Sequence, residues 1–184
     1  MEEIVTVDFE TEAIVGNPLI NPPSCLASYE WPSAGVAVWI PGEDPWYATI
    51  TDEIREYLAS LWRTKSLLFH NAPFDLSVAR KWLGLEWPPW HRIHDTQYLV
   101  FHYNPYGNLA LKPAAEEILG EEPEERDELH DWIVRNVPEA TKKTAGAYTS
   151  KAPFDLVEKY AIGDVVRTRR LFDHIMAVED LYAQ

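Results

Sequence analysis

Four carboxylates and one tyrosine carry the chemistry this sequence suggests, and their spacing says which chemistry. Asp8 and Glu10 close a short apolar run. Side chains two apart on a strand share a face, with Cα atoms roughly 6.5 Å apart. Carboxylates that close repel unless a cation or a proton lies between them. Near the other end of the chain, Val157, Ala161, Asp164, Thr168, Leu171, Ile175 and Val178 recur at alternating steps of four and three, which is one helix face. Asp164 thus interrupts a stripe that should pack on a sheet, where a carboxylate needs a metal, a base or a hydrogen-bond network. Tyr160 lies one turn before it. Asn71 and Asp75 straddle the helix start marked by Pro73.

Each pair has a plain alternative. Asp-x-Glu suits an exposed strand end, Asp164 suits pairing with a buried Arg, and Asn71 and Asp75 suit a helix cap and first turn. Taken together, Asp8, Glu10, Asp75 and Asp164 come from one strand and two helices. Carboxylates converging from such separate elements are the arrangement that holds two hard divalent cations. Such a pair, about 3.5–4 Å apart, activates a water and stabilises the leaving oxygen in phosphodiester hydrolysis.

The elements that must position these groups are legible from pattern. Strands are expected at Ile4–Phe9, Cys25–Trp31, Val36–Ile40, Ser66–His70 and Arg92–His94, each a short β-rich run bounded by turn residues. Thr51 should cap a helix whose Ile54, Leu58, Leu61 and Trp62 share a face. A second helix should run from Pro73 to Leu83 and stop at Gly84. Further helices are expected at Thr96–Tyr103, Leu111–Leu119 and Glu128–Val137, with a long last one opened by Pro153. Strands first, then helices interleaved and dominant, give an α/β class with one helix-covered sheet.

Three segments in order resemble the exonuclease motifs of the DEDD superfamily of 3′–5′ exonucleases: Val7-Asp8-Phe9-Glu10-Thr11, His70-Asn71-Ala72-Pro73-Phe74-Asp75 and Tyr160-Ala161-Ile162-Gly163-Asp164. The Tyr-x-x-x-Asp form is that of the tyrosine (DEDDy) branch; a histidine-type member would carry His where Lys159 stands. The likeness is greatest to the proofreading domain of bacterial family A DNA polymerases. His94-Asp95-Thr96 and Leu109-Ala110-Leu111-Lys112-Pro113-Ala114-Ala115 also look like its connecting segments, and the resemblance spans Val5 to about Phe172.

That resemblance implies an RNase H-like fold with a mixed five-stranded sheet flanked by helices. It implies two divalent metal ions, Mg²⁺ or Mn²⁺. Asp8, Glu10 and Asp164 would bind the first, Asp8 would bridge to the second, and Asp75 would hold the second directly or through water. Tyr160 would orient the attacking water, with Glu10 beside it. Thr11, Ile14 and Asn71 would line the terminal nucleotide. The substrate implied is single-stranded DNA or a frayed 3′ end, cleaved to nucleoside 5′-monophosphates. An RNase D-like enzyme acting on RNA and a non-catalytic nucleic-acid binding module are the alternatives. No polymerase-like segment follows in this sequence, so a standalone enzyme or an excised domain is expected, with a DNA polymerase in trans as a candidate partner.

Composition sets the remaining bounds. The 184 residues fit one domain, 1–184, and 46% hydrophobic against 25% charged residues supports a packed core rather than disorder. No apolar run reaches the roughly 18 residues of a membrane span. The single cysteine, Cys25, excludes an internal disulfide framework and a Cys-rich zinc site, and a cytoplasmic setting is the expectation. A net charge of −14 argues against gripping nucleic acid by overall charge. That charge is lopsided: nine acids lie between Glu116 and Asp131, whereas Lys142–Arg170 carries seven bases. The eight tryptophans read mainly as packing residues. P-loop and nucleophile-elbow motifs are missing.

Overall fold

Alternation along Ile4–Glu10 (β1) sends Val5, Val7 and Phe9 to one face of the sheet and Thr6, Asp8 and Glu10 to the other. The computed structural model describes residues 3–11, 35–121 and 124–182. β1 is the middle strand of a five-stranded mixed sheet with Gly35–Trp39 (β2), Trp46–Thr49 (β3), Ser66–Phe69 (β4) and Ile93–Asp95 (β5), in the order β3-β2-β1-β4-β5. The β3-β2-β1 half is antiparallel, and β4 and β5 are parallel to β1.

Helices cover both faces. Val5, Val7 and Phe9 pack with β2 and β4 side chains against Asp52–Thr64 (α1) and Ala72–Leu83 (α2). Thr51 caps α1 as its sequence implies, its hydroxyl accepting the Ile54 N–H at 3.3 Å. Leu58, Leu61 and Trp62 are buried, and burying each such side chain contributes about 1.5–3 kcal/mol. The Trp62 ring meets Phe9 and Phe69 edge-on at 6.3 and 6.0 Å. Arg92 ties the end of α1 to β5, donating to the carbonyls of Trp62 (2.7 Å) and Arg63 (3.1 Å). α2 stops at Gly84, whose φ of 67° is the left-handed value glycine supplies.

On the other face lies the long Phe154–Tyr182 helix (α6), packed on Thr96–Tyr103 (α3), Leu111–Leu119 (α4) and Glu124–Asn136 (α5). The expected stripe is buried: Val157, Ala161, Asp164, Thr168, Leu171 and Ile175, with Val165 and Arg167 widening it. No described helix is long and apolar enough to cross a membrane.

Some elements differ from expectation. β3 was not expected; unlike β4, Trp46-Tyr47-Ala48-Thr49 buries only one residue, Tyr47. A reverse turn, closed by the Glu43 N–H on the Ile40 carbonyl at 3.1 Å, leads into it. A 3₁₀ turn occupies Trp90–Arg92, so β5 starts one residue later than expected. A 3₁₀ segment at Ala145–Lys151 also joins α5 to α6. The expected strand at Cys25–Trp31 lies outside the described residues.

Gly35 has a steric reason. It pairs with Glu10 across β1 and β2, and a Cβ there would stand 2.4 Å from the Ala48 carbonyl and 2.6 Å from the Tyr47 ring. Gly35→Ala should therefore destabilise the protein by about 1–3 kcal/mol, the usual cost of overpacking. Urea denaturation would measure it; an unchanged midpoint would show that the Ala48 carbonyl and the Tyr47 ring both give way without cost.

A carboxylate cluster at the end of the central strand

Glu10 and Asp164 are only 9% and 8% exposed. With Asp8 they present oxygens that all lie within 4.8 Å of one another. Two of the three come from the α6-facing side of β1. Ala37 stands opposite Asp8 on β2, and its small side chain leaves α6 room to bring Asp164 down onto the sheet. The oxygen-only donor set is the kind hard divalent cations take.

Asp75 arrives from the opposite helical layer. The β1–β4 pairing ends at Thr6 and Leu68, and beyond it the Phe9 N–H donates to Asp75 Oδ1 at 2.9 Å. Asp75 thus finishes a strand edge while standing close enough to Asp8 for their charges to couple. It lies outside the close group of three.

What holds Asp75 there is an acid whose role sequence alone did not show. Asp95, at the end of β5, accepts the N–H groups of Asn71 (3.0 Å) and Gln97 (2.9 Å) on Oδ1 and that of Ala72 (2.9 Å) on Oδ2. One carboxylate caps α2 and α3 together. Asn71 occupies the cap position of α2, as expected, but makes no side-chain cap bond and adopts φ 70°, ψ 57°. Asparagine is among the few residues that tolerate that left-handed conformation. Burial lowers the pKa of the neighbouring His70. Its Nε2 lies 2.9 Å from the Leu109 carbonyl and its Nδ1 2.8 Å from the Thr96 hydroxyl, which in turn donates to the Phe69 carbonyl at 3.2 Å.

Tyr160 is half-buried on α6, one turn before Asp164. Its ring lies between the Lys112 ammonium, 3.7 Å from the centroid, and the His130 ring, stacked at 6.0 Å. Thr11 follows β1 directly and is half-buried. Ile14 lies outside the described residues.

The plain alternative for Asp164, a buried ion pair, is also realised. Lys112 pairs with Asp164 Oδ1, and Arg167 stands 3.7 Å from the same oxygen. Both cations are buried. The Asp164 pairing with Arg was foreseeable from the stripe, the Lys112 contact was not.

Burial, more than mutual repulsion, raises the carboxyl pKa values. It pushes Asp8 up to about 7, with the Asp164 charge adding to the rise and Lys112 opposing it. Glu10 and Asp75 are held well above the usual carboxylate range, again chiefly by desolvation and then by the Asp8 charge. Folded values above the unfolded value of about 4 mean that stability is full below that pH and lost as pH rises through the folded values. The melting temperature of metal-free protein should fall between pH 5.5 and 8. Asp8→Asn should flatten that fall and raise the melting temperature at pH 8. Asp164→Asn should lower it, because the change strands Lys112 and Arg167 without their shared partner. Melting curves in EDTA at both pH values test this, and an Asp8→Asn protein less stable than wild type at pH 8 would refute it.

Comparison with protein-family models and with curated proteins finds no match to this chain.

Proposed function

We propose that this chain is a metal-dependent 3′–5′ exonuclease of the DEDDy type on an RNase H-like fold. On this reading it shortens single-stranded DNA or frayed 3′ ends and releases nucleoside 5′-monophosphates. One observation carries the reading: Asp8, Glu10 and Asp164, drawn from the first strand and the last helix, offer oxygens within 4.8 Å of one another.

The donors fit hard cations. Four carboxylates face two buried cationic side chains, Lys112 and Arg167, so full ionisation leaves two negative charges uncompensated in a poorly solvated place. Burial meets that deficit by raising the Asp8 carboxyl to about 7 and Glu10 well above the usual carboxylate range, and a divalent cation is the other way to meet it. Asp8, Glu10 and Asp164 would hold one Mg²⁺ or Mn²⁺ ion, and Asp8 with Asp75 a second. Bound there, such ions supply an activated water and stabilise charge on the phosphodiester oxygens.

The chain's own residues supply the rest. Tyr160 presents its phenol from the α6 turn that carries Asp164, held between Lys112 and His130, and would orient the water. Asp75 fixes the end of β1 through the Phe9 amide and so sets where Asp8 and Glu10 point. Thr11 and Asn71 flank the ends of β1 and α2, where the terminal nucleotide would lie.

A 3′-protected and a 5′-protected labelled strand, each as DNA and as RNA, would test the reading. Mononucleotide should leave the 3′ end in the presence of Mn²⁺ and not in excess EDTA. Asp8→Ala should abolish turnover, whereas Tyr160→Phe should leave a measurable remainder, because groups that assist proton transfer contribute about 10²–10⁴-fold. Activity persisting in EDTA would defeat the metal mechanism. Binding of strands without shortening of any would mark a non-catalytic module instead, and preference for the RNA strand would move the assignment to RNA.

A further inference from the structure

Lys112 is 6% exposed, and buried lysines are rare without a partner. It is the second residue of α4, inside a first turn where the helix dipole disfavours positive charge. The helix therefore gains nothing from a lysine there. Its ammonium instead reaches across to α6, where it meets the Asp164 carboxylate and lies 3.7 Å from the centre of the Tyr160 ring. Asp164 and Tyr160 are one turn apart, so a single charge anchors both. Arg167 also faces Asp164 Oδ1, at 3.7 Å, but from α6 itself, whereas Lys112 reaches the site from α4.

We propose that Lys112 is a resident counter-cation: it holds Asp164 and Tyr160 in position while the carboxylate cluster lacks a divalent cation, and it yields Asp164 when one binds. The proposal rests on reading the cluster as a metal site. A lysine suits the task because its ammonium is a compact point charge on a flexible stem. An ammonium and a divalent cation attract the same oxygens and repel each other, so the two occupancies compete. Lys112 is thus a positioning residue, and its removal should change metal affinity before it changes any chemistry.

Two measurements decide the matter. Calorimetric titration with Mn²⁺ alone should show Lys112→Met binding tighter than wild type by about tenfold or more, while its melting temperature in EDTA falls. Equal or weaker binding by the variant, with saturation in both proteins, overturns the counter-cation and leaves the metal site standing. Absence of saturable binding in both defeats the metal site and the counter-cation with it. The second measurement uses the wild-type protein and so survives misfolding of the variant. In protein labelled with ¹³C at lysine Cε, the Lys112 signal, assigned by its loss in Lys112→Arg, should shift as Mg²⁺ saturates, while that of exposed Lys142 stays put. A Lys112 signal unmoved by saturating Mg²⁺ overturns the proposal.

Discussion

Carboxylates withdrawn from water at the end of the central strand are the constraint to which the surrounding structure answers. A buried carboxylate costs several kcal/mol unless something replaces its hydration. Here each has its own replacement. Asp164 has Lys112 and Arg167, Asp75 has the Phe9 amide, Asp8 holds its proton to about pH 7, and the Glu10 carboxyl is raised well above the usual range. The elements that meet at this point, β1, α2, α4 and α6, each bring either a carboxylate or a compensating group. Elsewhere the buried faces of the sheet are mostly apolar, with the small hydroxyls of Thr6 and Ser66 among them, so the carboxylate cluster is a localised departure from ordinary core packing.

Support for that departure is built outward from the strand ends. Asp95 binds the first turns of α2 and α3 to the tip of β5. His70, held between the Thr96 hydroxyl and the Leu109 carbonyl, joins the approach to α4 to the same place. Lys112 lies three residues beyond Leu109, so the hydrogen bond that fixes that carbonyl also limits where α4 can begin. Hydrogen bonds from β5 thus reach to within three residues of the lysine that meets Asp164.

Much of this was legible in the sequence. The i, i+2 pair on a β-rich run and the lone acid in an apolar stripe carry their own periodicity, so Asp8, Glu10 and Asp164 stood out before any fold was known. Asp75 stood out less, since a first-turn acid is ordinary, and its bond to Phe9 depends on where β4 ends. Asp95 and Lys112 were unreadable as site residues. Apart from Gln97, which Asp95 caps locally, their partners lie 23 to 52 residues away in sequence, and neither local propensity nor charge pattern reports contacts at that range. β3 was missed for a local reason: unlike the fully buried run of β4, Trp46-Tyr47-Ala48-Thr49 buries only Tyr47, and its pairing with β2 is what defines it.

The union of the first strand with the last helix also shapes how this chain comes to be folded. Asp8 precedes Asp164 by 156 residues, and at ribosomal speeds of about 5–20 residues per second the wait between them is on the order of ten to thirty seconds. During that interval Ile4-Val5-Thr6-Val7-Asp8-Phe9 is a β-prone apolar segment of the type that pairs with copies of itself. With no α6 to bury them, Asp8 and Glu10 are then hydrated and charged, and they act as gatekeepers that keep nascent strands apart. The two acids that unsettle the finished protein are the ones that protect it while it is being made.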